Sequence, residues 1–272
     1  MDCLFWYKCM DIKKQLENAL LQNEQPSDFF EKIKVEAYFE EFFSELYALI
    51  GLQQNPQYHA EGDVWTHTML VLNAAARYRD IVSFPLGFML SALVHDFGKA
   101  VCTTETNGVI HSYDHERKGL PSIENFLNRL SYSTDIIEYV LNMTLLHMKP
   151  NKIAVNNSSI KSSNRMFNES LAPLDLIFLG AADSLGQIPV GNVEKNVSFL
   201  MDRLSVYNDI MCRPFVNERD LKIAGFTENN IISETMEYAK KLQLANIPYD
   251  SALKQCISYA KSLKKNLEKS LH

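Results

Sequence analysis

The stretch FPLGFMLSALVHDFGK, from Phe84 to Lys99, carries the most information about the fold of this chain. Its first part is apolar nearly all round, which predicts a central buried helix over residues 86–96. The apolar run then ends in the imidazole and the carboxylate of His95 and Asp96. Burying such groups without partners costs several kcal/mol. The sequence therefore predicts a compensating partner, and a divalent metal ion suits both donors.

Apolar residues recur at helical spacing along most of the chain, which predicts an all-α fold: a helical bundle with a small C-terminal helical appendix. Ten glycines and nine prolines among 272 residues also favour long helices over turn-rich sheets. We find no internal repeat and no convincing run of strands. Helices are expected over residues 12–21, 28–52, 63–78, 86–96, 120–129, 134–147, 174–187, 218–224, 227–244 and 250–267, with Thr227 as the N-cap of the ninth.

Residues 149–172 are rich in Asn and Ser and show little periodicity. They predict a long polar loop, and loops of that length are usually functional lids or disordered. The nearest approach to a domain boundary lies around residues 211–214. The sequence therefore divides into linker-like N-terminal helices (1–50), a main domain that holds the His95-Asp96 pair (51–210), and a C-terminal helical segment (211–272).

Composition and charge exclude several classes of protein. A net charge of −6 argues against binding of long nucleic acid by electrostatics alone, although a local basic strip could contact a short RNA. No segment has the length of a membrane span or of a signal-peptide core. The cysteines are odd in number and lack CxxC spacing, which is typical of a reducing cytosol, so a cytoplasmic protein is expected. They are Cys3, Cys9, Cys102, Cys212 and Cys256.

Three further polar residues lie on otherwise apolar helix faces. These residues are His67, Asp183 and His147. Each alone is more often a satisfied core residue than a metal ligand. Their coincidence with His95 and Asp96 gathers imidazoles and carboxylates without a thiolate. Such a donor set suits Mn, Fe, Co, Ni or Mg rather than a structural zinc.

The neighbouring residues His95 and Asp96 lie roughly 100° apart around a helix. Both can reach one ion if the helix ends there, and Gly98 supplies a helix-ending signal. Lys99 falls just past that end. A lysine in this position is usually a solvated cation at the helix C-terminus, but it could also contact an anion held by the metal.

The order H…HD…D along the chain resembles the motif of the HD-domain metal-dependent phosphohydrolases. His67, His95, Asp96 and Asp183 match that motif residue by residue. The resemblance implies that Asp96 is the central metal ligand, and Lys99 matches the lysine of the HDxxK extension. Residues 51–210 are accordingly expected to form an HD phosphohydrolase domain.

Longer segments are similar to the HD region of bacterial tRNA nucleotidyltransferases, the CCA-adding enzymes. These segments are QNPQYHAEGDVWTHTMLVL (54–72), ALVHDFGKAVCTTE (92–105) and HERKG (115–119). Asp114 stands where that family usually has the glycine of its GHExxG element. The segment RPFVNERDLKIAGFTENNIISETMEYAKKLQLANI (213–247) resembles the part that follows the HD region. The resemblance is expected to cover residues 25 to 265.

The resemblance also implies an activity: hydrolysis of 2′,3′-cyclic phosphodiesters, 2′-nucleotides and phosphomonoesters by a metal-activated water. The expected substrate is a nucleotide or RNA-terminal phosphoester, and the expected cofactor is one or two divalent ions of Mn, Ni, Co, Fe or Mg. The chain contains no Gly-Ser dipeptide and no Asp-x-Asp pair. We therefore expect the nucleotidyltransferase head and its polymerising activity to be absent.

The remaining site residues follow from the same resemblance. Asp96 and Lys99 are the expected catalytic residues, and Lys99 would balance charge on the phosphate in the transition state. His115 and His147 match positions that hold a second metal in similar proteins, or they contact the phosphate. Arg117, beside His115, is a further candidate for binding the phosphate.

Three other histidine and glutamate positions surround the motif. His59 and Glu61 either line the substrate mouth or order the loop before the helix that carries His67. His111 follows the turn signal Asn107-Gly108 and is expected to be a loop residue.

Two other functions stay open at this point. One is a tRNA- or nucleotide-binding module without turnover, in which lysines of the last helix follow an RNA backbone. These are Lys254, Lys261, Lys264, Lys265 and Lys269, although a solvated helix face explains them more simply. Retention of every metal position and of Lys99 argues against that module. The other is a different HD activity, such as dNTP hydrolysis or cyclic-dinucleotide cleavage, and the absence of a GYP element lowers the latter.

Overall fold

The computed structural model describes residues 3–270, and their side chains from residue 11 to residue 267. The described part of the chain is built of helices with one small hairpin, which confirms the predicted all-α fold. The helices are α1 (Cys3–Gln22), α2 (Ser27–Ile33), α3 (Phe39–Phe42), α4 (Ser44–Tyr47), α5 (Val64–Ala76), α6 (Pro85–Val94), α7 (Lys99–Cys102), α8 (His115–Lys118), α9 (Leu120–Arg129), α10 (Thr134–Leu146), α11 (Met148–Val155), α12 (Ile160–Glu169), α13 (Pro173–Leu185), α14 (Val193–Cys212), α15 (Glu218–Ile223), α16 (Asn229–Leu244) and α17 (Tyr249–Ser270).

The chain divides into two compact units. The first comprises Met1–Asn157 and Asn168–Met201, and the second comprises Ser158–Phe167 and Asp202–His272. This division follows packing rather than function, and it groups residues 1–50 with the region that contains the HD run. The three segments expected from the sequence (1–50, 51–210 and 211–272) stay a prediction.

Helix α6 lies at the centre of the first unit, as its composition predicts. All of its residues from Gly87 to Val94 are buried, and it packs against α1, α5, α10 and α13. Pro85 occupies the first turn, where its missing N–H leaves no hydrogen bond unmade. The C-terminal end of this buried helix places His95 and Asp96 inside the protein, 1% and 2% exposed.

The single helix predicted over 28–52 is wrong. The segment forms three short helices, α2, α3 and α4, and Phe43 between the last two has a non-helical backbone (φ −128°, ψ 39°). The breaks bring the ring of Phe43 to that of Phe30, which one straight helix would hold about 20 Å away. Phe43 stacks on Phe39 at 5.5 Å and contacts Phe30 at 6.4 Å between ring centroids. Burial of these rings outweighs continuity of the helix.

The polar loop predicted over 149–172 is also wrong, because the segment is largely helical. Helices α11 and α12 cover most of it, and their apolar residues Ile153, Ala154, Met166 and Phe167 are buried. Of the Asn and Ser residues that suggested a loop, the run from residue 156 to residue 159 does lie between the two helices. Ser162 and Asn168 are exposed positions of α12, whereas Ser163 and Asn164 are buried. A sparse apolar stripe was therefore hidden by polar composition.

Smaller differences concern helix ends and strands. Helix α14 was not predicted, and the N-cap of α16 is Glu228 rather than Thr227. Strands β1 (Thr104–Thr106) and β2 (Val109–His111) form an antiparallel hairpin that the sequence analysis did not find. Asn107 and Gly108 at its turn both have positive φ, 53° and 76°, as a tight two-residue hairpin turn requires.

The second unit has its own apolar core, and the predicted helices α15, α16 and α17 are confirmed. One cluster of its buried residues comprises Val216, Leu221, Ile232, Ala239, Leu242, Ala252 and Cys256, and a second comprises Phe226, Ile231 and Ala260. Cys102, Cys212 and Cys256 are free thiols, whereas Cys3, Cys9 and Lys269 lie outside the described side chains. Among the described helices, none combines the length and the apolar character that crossing a membrane requires.

Candidate metal centre

Six of the residues predicted from the H…HD…D pattern and its extension meet at one place in the first unit. They arrive from five different helices or helix ends: His67 from α5, His95 and Asp96 from the end of α6, His115 from the start of α8, His147 from the end of α10, and Asp183 from α13. All six are buried. The fold thus concentrates imidazoles and carboxylates in a place that water barely reaches.

The carboxylate of Asp96 lies at the centre of this cluster. Its Oδ2 is 3.6 Å from Nε2 of His67 and 3.3 Å from Nε2 of His95. Its Oδ1 is 3.2 Å from Nε2 of His115 and 4.0 Å from Nε2 of His147. Each oxygen of one carboxylate therefore faces its own pair of imidazoles.

Asp183 joins the first of these pairs. Its Oδ1 lies 3.2 Å from Nε2 of His67 and 3.9 Å from Nε2 of His95. Asn151, which the sequence analysis missed, donates to the backbone oxygen of Gly180 at 2.9 Å and reaches Asp183 Oδ2 at 3.5 Å. This amide anchors the helix turn that presents the carboxylate.

The outer nitrogen of each imidazole fixes the direction of the ring. The Nδ1 atom of His95 lies 2.9 Å from the backbone oxygen of Ala92, and that of His115 lies 2.9 Å from the backbone oxygen of Ser112. The Nδ1 atom of His147 lies 2.6 Å from Thr144 O, and that of His67 lies 3.3 Å from Gly186 O. A carbonyl oxygen only accepts hydrogen bonds, so each Nδ1 carries the hydrogen. In the neutral ring, Nε2 then carries a lone pair that is directed into the cluster.

These inward nitrogens approach each other closely. His67 and His95 face one another with 3.4 Å between their Nε2 atoms, and the pair His115 and His147 does so at 3.3 Å. Two lone pairs cannot form a hydrogen bond with each other. Each arrangement therefore calls for a shared positive charge, either a proton or a metal ion.

Buried charge calls for the same compensation. Asp96 Oδ2 is buried and accepts no hydrogen bond from any described residue, since the Lys99 ammonium, 2.7 Å away, lies outside hydrogen-bond geometry. Burial alone would raise the pKa of Asp96, but the nearby Lys99 and His95 outweigh burial and hold that pKa well below its usual range. The cluster therefore keeps an ionised carboxylate in a site that favours a cation.

Without a metal ion, protons take the cation's place. Burial alone would lower the pKa of His67, but hydrogen bonds to Asp183 and Glu61 outweigh it and raise that pKa to about 9. Burial and the neighbouring His95 and His115 lower the pKa of His147 to about 3, so this ring stays neutral. A metal ion that binds His67 would therefore have to displace the proton of that ring.

The donor atoms fit a divalent ion in two places. His67, His95 and Asp96 form one group, and Asp96, His115 and His147 form another, with the ligand atoms of each group within 4.8 Å of one another. Nitrogen and carboxylate donors without thiolate match Mn, Fe, Co, Ni or Mg. The buried residues could thus hold a metal ion, and Asp96 is common to both groups.

A third group, His59, Glu61 and His67, has the same compactness but a different role. Glu61 Oε1 lies 2.7 Å from Nδ1 of His59 and 3.0 Å from Nδ1 of His67, and Oε2 accepts from the backbone N–H of Ile188 at 2.8 Å. The side chain of Glu61 is 1% exposed. Glu61 therefore lies behind the His67 ring, and His59 lines the cavity beside the cluster, while their roles stay a prediction.

Lys99 lies beside the carboxylates rather than in solvent. It is 8% exposed and donates to Oε1 of Gln54 at 2.7 Å. Gln54 was quoted in the matched segment 54–72 but was not singled out, because a glutamine carries no charge that would mark it. Its amide oxygen holds the ammonium at the edge of the cluster.

The prediction that Gly98 is the residue that ends the buried helix is wrong. Its backbone is helical (φ −63°), and it precedes α7 rather than ending α6 with a left-handed residue. A Cβ at this position would lie 1.9 Å from the backbone oxygen of His115. Glycine is therefore required because the backbones of residues 98 and 115 touch, and this contact sets the position of His115. Asp114 has φ 61°, which aspartate tolerates better than most residues.

A cavity of ≈ 310 Å³ opens beside the cluster. Asp96, Lys99, His115, His147 and Asp183 line it, together with Gln54, Asn55, Tyr58, His59, Ile110, His111, Ser112, Tyr113, Met148 and Gln187. His111, expected as a loop residue, belongs to β2 and contributes to this wall. Arg117 differs from the other predicted contacts, since its side chain is 68% exposed and pairs with Asp114 at 3.7 Å.

Comparison with known proteins supports a relationship over part of the chain. The multifunctional CCA protein of Actinobacillus pleuropneumoniae (serotype 5b) is 33% identical over 131 residues, which are 48% of this chain and 31% of the relative. Those of Mannheimia succiniciproducens and Shewanella denitrificans are 36% and 34% identical over 45% and 48% of this chain. The chain resembles multifunctional CCA proteins over about half its length.

The extent of this similarity is limited. The chain spans about three tenths of the length of the multifunctional CCA proteins it matches. The matched stretches are shorter than the expected range of residues 25 to 265. No protein-family model matches the chain. The part of the prediction that named the HD region of these proteins agrees with a partial match of this kind.

Proposed function

We propose that the protein is a metal-dependent phosphohydrolase that acts on nucleotide phosphoesters. One observation carries the proposal: the cluster centred on Asp96 opens, together with Lys99, onto a cavity of ≈ 310 Å³. Such a cavity is within the usual range for small-molecule sites. A buried site that only stabilised the fold would have no need of this opening.

His67, His95, Asp96 and Asp183 would hold one ion, and His115 and His147 would hold a second one through Asp96. When bound, divalent ions lower the pKa of a coordinated water and polarise a phosphoester oxygen. The protein's own contribution is to fix these donors. The backbone carbonyls that hold each Nδ1 keep the rings directed inward, so little reorganisation is needed on binding.

Lys99 contributes charge on the substrate side. Its ammonium lies between Gln54 and Asp96 and lines the same cavity as Asp183. A phosphate oxygen entering the cavity would accept from this ammonium, and the negative charge that builds up in the transition state would strengthen the bond. Burial of Lys99 makes this interaction stronger than it would be in water.

The proposed substrate class rests on the resemblance to the HD region of CCA-adding enzymes. The relatives are named multifunctional CCA proteins, and we infer from the matched part that this chain acts on 2′,3′-cyclic phosphodiesters, 2′-nucleotides or phosphomonoesters. A tRNA-related substrate, with a nucleotide or RNA-terminal phosphate, is part of this proposal.

A substrate screen tests the proposal. The purified protein is assayed with Mn²⁺, Ni²⁺, Co²⁺ and Mg²⁺ against 2′,3′-cyclic AMP, nucleoside monophosphates, a dNTP and bis(p-nitrophenyl) phosphate. Metal-dependent turnover of a nucleotide phosphoester, lost in the Asp96→Ala variant, is expected. Turnover of the dNTP alone would favour the other HD activity.

The binding module is the remaining alternative. Lys264, one of the lysines that suggested it, pairs with Glu228 at 2.8 Å, which suits a solvated helix face better than an RNA track. A gel shift with tRNA, in the absence of any turnover, would favour the binding module over the hydrolase.

A further inference from the structure

The cavity beside the metal cluster continues into a larger groove within the same unit. This groove measures ≈ 850 Å³ and shares Tyr58, Tyr113, His115, Met148 and Asp183 with the cavity. The combined space is larger than one phosphate group requires. The walls therefore have room for a further chemical group of the substrate beside the phosphate.

Two tyrosines in these walls are unusually exposed. Tyr113 is 70% exposed and Tyr58 is 60% exposed, whereas Phe30, Phe88 and Phe97 of the core are almost completely buried. Tyr58 and Tyr113 line both the cavity and the groove. Exposed aromatic rings that border a pocket are available to a ligand rather than to the core.

The ring of Tyr113 is held in a defined position. It stacks on the ring of His111 with 4.9 Å between centroids and an angle of 12° between planes. His111 pairs with Thr104 in the hairpin, and Lys118 Nζ donates to the backbone oxygen of Tyr113 at 3.1 Å. Because His111 covers only one side and the residue is largely exposed, the other face of Tyr113 is open to a planar partner.

We propose that Tyr113, backed by His111, is a platform on which the nucleobase of the substrate stacks while its phosphate lies at Lys99. This proposal rests on the proposed function and specifies the part of the substrate that is recognised. Aromatic faces bind nucleobases by stacking and tolerate every base, because each base has a π-face. The platform would therefore select nucleotides over base-free phosphates without selecting a particular base.

Binding measurements on the full chain test the platform without requiring catalysis. Calorimetry compares AMP with ribose 5-phosphate on the wild type and on Tyr113→Ala, Tyr113→Phe and Val109→Ala. Loss of stacking is expected to weaken AMP binding about tenfold in Tyr113→Ala. Ribose 5-phosphate binding should stay unchanged, and Tyr113→Phe, which keeps the ring, should bind AMP as the wild type does. Val109→Ala controls for the hairpin, since Val109 is exposed but lies outside the cavity wall.

Steady-state kinetics separate the platform from the proposed hydrolysis. With a base-bearing 2′-nucleotide, Tyr113→Ala is expected to raise KM about tenfold and leave kcat nearly unchanged. With ribose 5-phosphate, neither constant should change. If the wild type binds AMP and ribose 5-phosphate equally, or Tyr113→Ala weakens both equally, the platform is refuted even when hydrolysis stands. If no phosphoester is hydrolysed but AMP binding depends on the ring at residue 113, the platform stands and the hydrolase is refuted.

Discussion

Replacement of Glu61 by glutamine tests how the buried hydrogen bonds behind His67 support the metal centre. The carboxylate accepts at both oxygens, from the histidine rings at Oε1 and from the backbone N–H of Ile188 at Oε2. Glutamine has the same shape but only one accepting atom. Whichever way the amide is turned, either the Nδ1–H of His67 or the N–H of Ile188 faces an NH₂ group.

The expected effect is a loss of metal affinity with retention of the fold. Mutation of such outer partners of a metal-binding histidine typically weakens metal binding by about 10–100-fold, which corresponds to about 1.4–2.7 kcal/mol. Gly186 O, 3.3 Å from the same nitrogen, offers His67 a second acceptor. We therefore expect the lower part of this range, about tenfold.

Calorimetric titration of Mn²⁺ into the wild type, Glu61→Gln and the exposed control Glu105→Gln measures this effect. Glu105 is exposed in β1, so Glu105→Gln removes one negative charge without changing the cluster. Glu61→Gln should bind about tenfold more weakly and Glu105→Gln as the wild type does. If a folded Glu61→Gln variant binds Mn²⁺ within about twofold of the wild type, Glu61 has no positioning role.

Three further predictions concern backbone contact, buried hydrogen bonds and protons. Gly98→Ala places a Cβ 1.9 Å from the backbone oxygen of His115. The free energy of unfolding should therefore fall by about 1–3 kcal/mol, and affinity for the second ion should fall with it. A variant with unchanged urea midpoint and Mn²⁺ stoichiometry would contradict this. Asp175 is fully buried and accepts hydrogen bonds from Ser83 N, Ser83 Oγ and Tyr139 Oη. Asp175→Ala should therefore lower the free energy of unfolding in urea by about 3 kcal/mol, and a decrease below about 1 kcal/mol would contradict this. In the metal-free protein the pKa of His67 is about 9 against an ordinary 6.5, so a metal must displace a proton below pH 9. Mn²⁺ affinity should then rise by up to about tenfold per pH unit from 7 to 9 and level off above, and calorimetry in two buffers should detect the released proton; a flat profile would show that His67 is not a ligand.

The sequence predicted those parts of the fold in which one physical signal dominates. Helix α6 is apolar on every side, so a buried position was the only stable one for it. His67, His147 and Asp183 each stood out as polar residues on apolar stripes, and the structure brings all three to Asp96. Helical periodicity placed these residues on apolar faces, and the resemblance to the H…HD…D motif then indicated that they meet at the HD pair.

Other features depended on contacts between distant segments and were not predictable from local patterns. The breaks around Phe43 arise from ring packing with Phe30, and the need for glycine at position 98 depends on the backbone of His115. Tyr113 was missed because an exposed tyrosine just after a short hairpin gives no periodic signal. Its importance appears only when the cavity beside it is known.

The central claim is that the cluster around Asp96 is a divalent-metal centre. Anomalous diffraction from crystals grown with Mn²⁺ tests it most directly, because the signal locates the ion without reference to activity. We expect one peak between the Nε2 atoms of His67 and His95 and the carboxylate of Asp96, and a second peak on the His115 and His147 side. Both peaks should vanish in Asp96→Ala. Anomalous peaks confined to other parts of the protein, with the cluster of the wild type free of Mn²⁺, would contradict the claim.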